Sequence, residues 1–131
     1  MAIFENDAEI QERNCFSKYN HIVPESAEQD RAVFRLDVWE NSLNPYGSVH
    51  GGALYTLADN ACGYAAHTDG RNYVTMEGSL HFVSNCTSGT VLATATVLHR
   101  GGTTCVVNVD ITKQNGEMLA TGQFTFFCIK N

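Results

Sequence analysis

Proline is scarce, with two in 131 residues. So few imino acids leave room for long uninterrupted helices and strands. No run of about 18 apolar residues occurs, which excludes a membrane-spanning helix. The N-terminal stretch lacks a basic segment followed by an apolar block, so no secretory leader is expected. Cations are outnumbered: eight Lys and Arg face 14 Asp and Glu, for a formal net charge of -6. That balance argues against a nucleic-acid partner. It also means that any anionic ligand needs a local basic patch. The five cysteines (Cys15, Cys62, Cys86, Cys105, Cys128) are odd in number and never form a C-x-x-C pair. Free thiols in a reducing compartment, the cytoplasm, are expected rather than disulfides or zinc. The five histidines show no metal-ligand spacing, and no glycine loop has a Walker or dinucleotide pattern, so neither a metal nor a separate cofactor is expected. Repeats, linkers and low-complexity tracts are also missing. The length fits a single domain over residues 1–131.

What is present centres on Asn44-Pro45-Tyr46-Gly47-Ser48-Val49-His50-Gly51-Gly52, which opens directly into a helical pattern carrying Asp59. The first donors of a helix have no internal partner. Two glycines let a ligand approach that backbone closely, and the peptide dipoles add positive potential at the same place. A carbonyl oxygen turning into an oxyanion suits such a spot. At about 100° per residue, Leu54, Leu57, Ala58, Ala61 and Ala65 form one stripe, the core face. Asp59 points away from it, among Gly52, Thr56, Gly63 and Ala66. A solvated face would carry Lys, Glu or Gln; small residues around one carboxylate fit close approach by a second subunit or a ligand. An ordinary exposed acid on a tolerant helix explains the same pattern equally well.

Along the chain, residues from about 5 to 20 read as a short amphipathic helix. His21 to Pro24 is extended, and Glu25 to Asp30 reads as a polar turn. Arg31 to Trp39 alternates as a half-buried strand. The long helix runs from about Val49 to His67, with Gly70 placed for a left-handed exit. Four further strands follow, at about 73–83, 90–100, 103–113 and 118–129, joined by tight turns that include Asn115-Gly116. Hairpins impose antiparallel pairing. The expectation is an α+β layer, one five-stranded antiparallel sheet covered by one long helix. Leu92, Leu98, Val106, Leu119 and Phe127 are expected on the sheet's second face, which little chain remains to cover, so an oligomer is expected, a dimer first.

Asn44-x-x-Gly47-x-x-His50-Gly51-Gly52 followed by Leu57-Ala58-Asp59 resembles the hotdog-fold acyl-CoA thioesterases, closest to the phenylacetic-acid-degradation subgroup. The resemblance covers roughly Val33 to the C-terminus. It implies a hotdog fold and hydrolysis of an aromatic or medium-chain acyl-CoA, with coenzyme A as part of the substrate. It also implies a homodimer, assembling as a dimer of dimers, with sites shared between subunits. By resemblance, Asp59 is the catalytic carboxylate, acting as general base or nucleophile. The N–H of Gly51 polarises the thioester carbonyl. Asn44 and His50 support that region, and Thr75 helps orient water. The expected substrate contacts are Gly52, Tyr46, His81, Ser84 and Arg100. Two features depart from the family: no proline ends the strand after the helix, where Phe82-Val83-Ser84-Asn85-Cys86 stands, and the Arg100-Gly101-Gly102-Thr103 hairpin has no extra cation. Both concern how the nucleotide is held, which leaves an acyl carrier protein as another thiol carrier. Two other functions fit the same fold. One is a 3-hydroxyacyl dehydratase, whose usual Gly-His-Phe-Pro-like loop is absent. The other is a non-catalytic acyl-CoA sensor, in which Asp59 would have no purpose.

Overall fold

The computed structural model describes residues 7–130. Two short helices come first, α1 (Asp7–Glu12) and α2 (Cys15–Tyr19). A hairpin of β1 (Ile22–Glu28) and β2 (Arg31–Asp37) leads through a 3₁₀ turn at Glu40–Ser42 into the long helix α3 (Gly51–His67). Strands β3 (Asn72–Phe82), β4 (Thr90–Arg100), β5 (Thr104–Lys113) and β6 (Met118–Lys130) complete one sheet of order β1-β2-β4-β5-β6-β3, every pair antiparallel. The architecture is the expected helix wrapped by a sheet, with six strands instead of five.

α3 lies in the sheet's concave face because its apolar stripe has the right period. Leu54, Leu57, Ala58, Ala61 and Ala65 are all buried. They share one core with Phe34 and Leu36 of β2, Val91, Ala93 and Ala95 of β4, and Val107, Val109 and Ile111 of β5. The alanines let the sheet curl close to the helix. Truncating a leucine as enclosed as Leu57 costs about 2–5 kcal/mol in comparable cores.

Three expectations need correction. The N-terminal helix is broken, because Asn14 caps α2 by accepting from the Ser17 N–H at 3.4 Å and spends its amide on Asn60 Oδ1 at 2.9 Å; asparagine favours such local bonds over helix interior. Residues 5 and 6 of that expected helix lie outside the described residues. Second, Glu25 to Glu28 is strand rather than turn. Pro24 and the polar residues hid it, yet both suit an edge strand, and the register slips between Pro24 and Ser26. The turn itself is Gln29-Asp30, with Asp30 in the left-handed region at φ 64°. Third, Leu119 is fully buried. A register shift between Ile111 and Thr112 turns both Leu119 and Ala120 inward. Leu98 and Phe127 do stay exposed on the outer face, while Leu92 and Val106 are half-buried.

The C-terminal end of α3 is held by a polar clasp. The last carbonyls of a helix lack internal partners. Arg100 donates to the carbonyls of Ala66 at 2.8 Å and Ala65 at 3.2 Å. The same guanidinium pairs with Asp30 and Asp69, each at 2.8 Å. Tyr73 donates its hydroxyl to Asp69 at 2.6 Å, and Arg71 pairs with Asp69 at 2.8 Å while donating to the carbonyls of Gly101 and Gly102. Burial pushes the Asp69 carboxyl up. The hydrogen bonds from Tyr73 and Arg71 and the charge of Arg100 outweigh it and hold the group at about 2, against an ordinary 3.8.

A folded value below the ordinary one means the contribution is complete above about pH 4 and is lost as pH falls towards 2. The shift corresponds to about 2 kcal/mol. Urea unfolding of the wild type and Asp69→Asn between roughly pH 5 and pH 2 should show their stability gap narrowing as pH falls; a gap that stays constant contradicts the clasp.

Candidate active site

The loop before α3 is built by Asn44. Its side-chain oxygen accepts from the N–H groups of Tyr46 at 2.9 Å and Ser48 at 3.1 Å, while its own N–H donates to the Ser48 carbonyl at 2.7 Å. Leu43 and Val49 form a bridge, and the His50 N–H donates to Ser42. The chain therefore enters α3 on a fixed line. His50 is the N-cap, at φ -63° and ψ 134°, and its Nδ1 accepts from the Gly52 N–H at 2.8 Å. A Cβ at residue 52 would sit 3.0 Å from that nitrogen. A side chain at residue 52 would therefore crowd the capping imidazole. Acceptance at Nδ1 places the proton of a neutral ring on Nε2. The His50 carbonyl takes the N–H groups of Ala53 and Leu54. Among the described residues, the Gly51 N–H has no acceptor.

Two turns further on, Asp59 is half-buried and its Oδ1 accepts from the Thr75 hydroxyl of β3 at 2.7 Å. Burial raises the Asp59 pKa, and the Thr75 hydrogen bond offsets part of the rise. The second oxygen, Oδ2, has no partner among the described residues. Asp59 stands at one end of a cavity of about 430 Å³. One wall follows α3 through Asn60, Gly63, Tyr64 and His67; the facing wall follows β3 back from Thr75 to Asn72; Phe126 and the α1 residues Ile10 and Gln11 close the sides. Nothing in the sequence marked Ile10, Gln11 or Phe126 for this place. Gly63 was visible as part of the small-residue face, whereas Ala66 of that face is fully buried. Cys62, nearby, is buried, and its thiol is pushed up by burial and then by the Asp59 charge, so it is inert packing.

Asp59 and Gly51 are eight residues apart on one helix, about 12 Å. A single carbonyl group cannot touch both within one chain. β3, the strand carrying Thr75, is a sheet edge and leaves Val74, Met76, Phe82 and Val83 exposed. The Phe82 ring lies 3.6 Å from the Cβ position of Gly51, so this edge runs past the helix start.

The other expected substrate contacts scatter. Tyr46 is 92% exposed on the loop tip. His81 and Ser84 are exposed along and just beyond β3. Arg100 is a correction: its guanidinium is committed to the α3 carbonyls, Asp30, Asp69 and Tyr73, and offers nothing to a phosphate. No cluster of metal-ligating side chains occurs among the described residues. No helix among them is long and apolar enough to cross a membrane.

A family model described as the thioesterase superfamily matches residues 46–120. This chain belongs to the thioesterase superfamily. It is a thioester hydrolase by class. The acyl-coenzyme A thioesterase PaaI of Escherichia coli K12 is 34% identical over 120 residues, covering 91% of this chain and 81% of that protein. The solved structure of the E. coli PaaI protein from the phenylacetic acid degradation operon matches this thioesterase at a TM-score of 0.92 and 29% identity, over 98% of this chain and 94% of that one. The fold is the hotdog fold. A hypothetical thioesterase from Streptococcus pneumoniae TIGR4, solved with coenzyme A, matches at a TM-score of 0.79 and 32% identity, over 84% of this chain and 87% of that one. Variants of that protein with alanine replacing an aspartate and a threonine, sixteen residues apart, have also been solved. Asp59 and Thr75 of this thioesterase have the same separation of sixteen.

The Thr75 hydroxyl lowers the Asp59 pKa, so Thr75→Val should raise it further. A carboxyl-carbon NMR titration of Asp59 in both proteins reads the shift directly. An unchanged or lower value in the variant contradicts the pairing.

Proposed function

We propose that this thioesterase hydrolyses acyl-CoA through a site shared by two protomers, Asp59 from one and the Gly51 N–H from the other. The observation that carries the reading is the pairing of one half-buried carboxylate at the mouth of a cavity with one unengaged helix-start amide, set about 12 Å apart on the same helix. A second copy joined along the exposed β3 edge would supply the missing half of each site. The coenzyme A bound to the pneumococcal relative supports coenzyme A as the carrier. The five free cysteines fit a reducing compartment such as the cytoplasm.

In this reading the thioester carbonyl oxygen points at Gly51, whose N–H strengthens its bond as negative charge develops. Thr75 fixes one oxygen of Asp59. The other oxygen takes a proton from water as the water oxygen bonds to the carbonyl carbon. The carbon–sulfur bond then breaks, and the proton passes from Asp59 to the departing thiolate. Burial suits this role, because a carboxylate with a raised pKa is a stronger base. His50 shapes the donor rather than moving protons: its Nδ1 is occupied by Gly52. Asn44 acts the same way through the loop. Tyr46, His81 and Ser84 remain contacts for the carrier arm that the cleft would receive.

Asp59→Asn should keep the fold and lose most turnover in an acyl-CoA assay with a thiol reagent. Gly51→Pro removes the N–H at the first helical position, where proline is well tolerated, and His50 already has the extended backbone that a following proline requires. Its kcat should fall roughly 10²–10³-fold with thermal stability kept. Parent-like rates in either variant would remove that group from the site.

A further inference from the structure

The segment α1–α2 lies outside residues 46–120, the stretch that the family model matches. Among the described residues, none of its side chains joins the apolar core. Yet it walls the place where Asp59 stands. Ile10, Gln11 and Asn14 line the cavity beside Asp59. Further along, Phe16 and Asn20 flank a second cavity over Gly52 and Thr56 of α3. The two short helices thus run along the side of α3 that the sheet leaves open. The segment is tied down at two points. At one, the Asn14 amide donates to Asn60 Oδ1 at 2.9 Å, and Asn60, the residue after Asp59, donates in turn to the Thr56 carbonyl at 2.8 Å. At the other, the Tyr19 ring meets Trp39 edge-on with centroids 5.7 Å apart, and its hydroxyl accepts from Asn41 at 3.3 Å. Lys18 pairs with Glu12, which joins α1 to α2.

We propose that Asn14 is a positioning residue for the reaction: through Asn60 it latches the α1–α2 cover against α3 and so keeps bulk water away from Asp59. The proposal rests on the thioesterase reading given above. Residue 14 has two tasks at once. Its oxygen caps α2, and its amide makes the latch. Ser, Thr and Asp also cap helices, but the first two are shorter and a carboxylate has no N–H to donate. Burial raises the Asp59 pKa, and no charged neighbour contributes to the rise. Of the groups around it, Tyr64, His67 and Tyr73 line the same cavity, Tyr55 and Cys62 feel the Asp59 charge, and Glu77 acts on Tyr55. The cover itself brings Ile10, Gln11 and Asn14 to the cavity, none of them titratable. Lifting it therefore changes the solvation of Asp59 and leaves the charges that line the cavity in place. A carboxylate returned to water is a weaker base.

The test uses Asn14→Ser, which keeps a capping oxygen but loses the reach to Asn60, and Asn60→Ala, which removes the other half of the latch from a helix that alanine favours. In each variant the Asp59 carboxyl should titrate at lower pH than in wild type by carbon NMR. The acid limb of kcat/KM against pH should move the same way. At neutral pH, kcat/KM should fall about tenfold, short of the roughly 10²–10⁴-fold that a general base supplies. Thermal melting should drop by no more than about 5 °C. The double variant should lose no more than either single one, because both cut the same contact. Lost stability alone would not move the titration. An Asp59 titration unmoved in both single variants, or a double variant whose loss is the product of the two, overturns the latch while leaving hydrolysis intact. A wild type that hydrolyses no acyl-CoA overturns the thioesterase reading instead, and the titration then decides the latch by itself.

Discussion

An α-helix is stiff, and eight of its residues hold two points about 12 Å apart. In this chain the two points are an amide that finds no acceptor among the described residues and a carboxylate half-withdrawn from water. Every other feature of the site is arranged around that fixed separation. The sheet buries the opposite stripe of α3 and so fixes which side faces out. The Asn44 loop and the His50 ring occupy the competing donors at the helix start. The Arg100 clasp fastens the far end and holds the start of β3 against it. β3 then delivers Thr75 to Asp59. A helix cannot bend to bring its own two groups to one carbon. A second chain is the simplest way to close the gap.

The electrostatics follow the same logic. Asp59 sits where burial raises its pKa and one hydroxyl moderates the rise. Asp69, ten residues on, sits where two guanidinium groups and a phenol press its pKa down. Two carboxylates near one helix are thus driven in opposite directions by their neighbours. The first is kept basic and has an oxygen to spare; the second is consumed in holding the backbone. That difference is what the proposed reading uses to separate a reactive acid from a structural one.

Much of this was legible in the sequence. The 3.6-residue stripe located the core face of α3, and strict alternation located β2 to β6 within two residues of their observed ends. Asp59 stood out because its neighbours are small. The failures have physical causes. Only the first part of β1 was legible, as the extended stretch His21 to Pro24, because an edge strand tolerates polar residues that would break a central one. Arg100 was read as a substrate contact because nothing in a linear chain reveals that Asp30, thirty-nine residues before Asp69, returns to the same guanidinium. The crowding of residue 52 by a ring two residues back was equally hidden. The cavity next to Asp59 was invisible for the same reason: α1, α3, β3 and β6 each contribute to its lining, and no local pattern joins them.

Subunit mixing tests the shared site most directly. Asp59→Asn and Gly51→Pro chains are each disabled at a different half of the site. Unfolded together and refolded as a mixture, half of the dimers pair one chain of each kind. In such a dimer one site carries both defects and the other carries none. The mixture should therefore regain about a quarter of the wild-type rate from two inactive preparations. No recovery from a mixture shown to contain mixed dimers would mean that each chain works alone, and the shared site would be wrong.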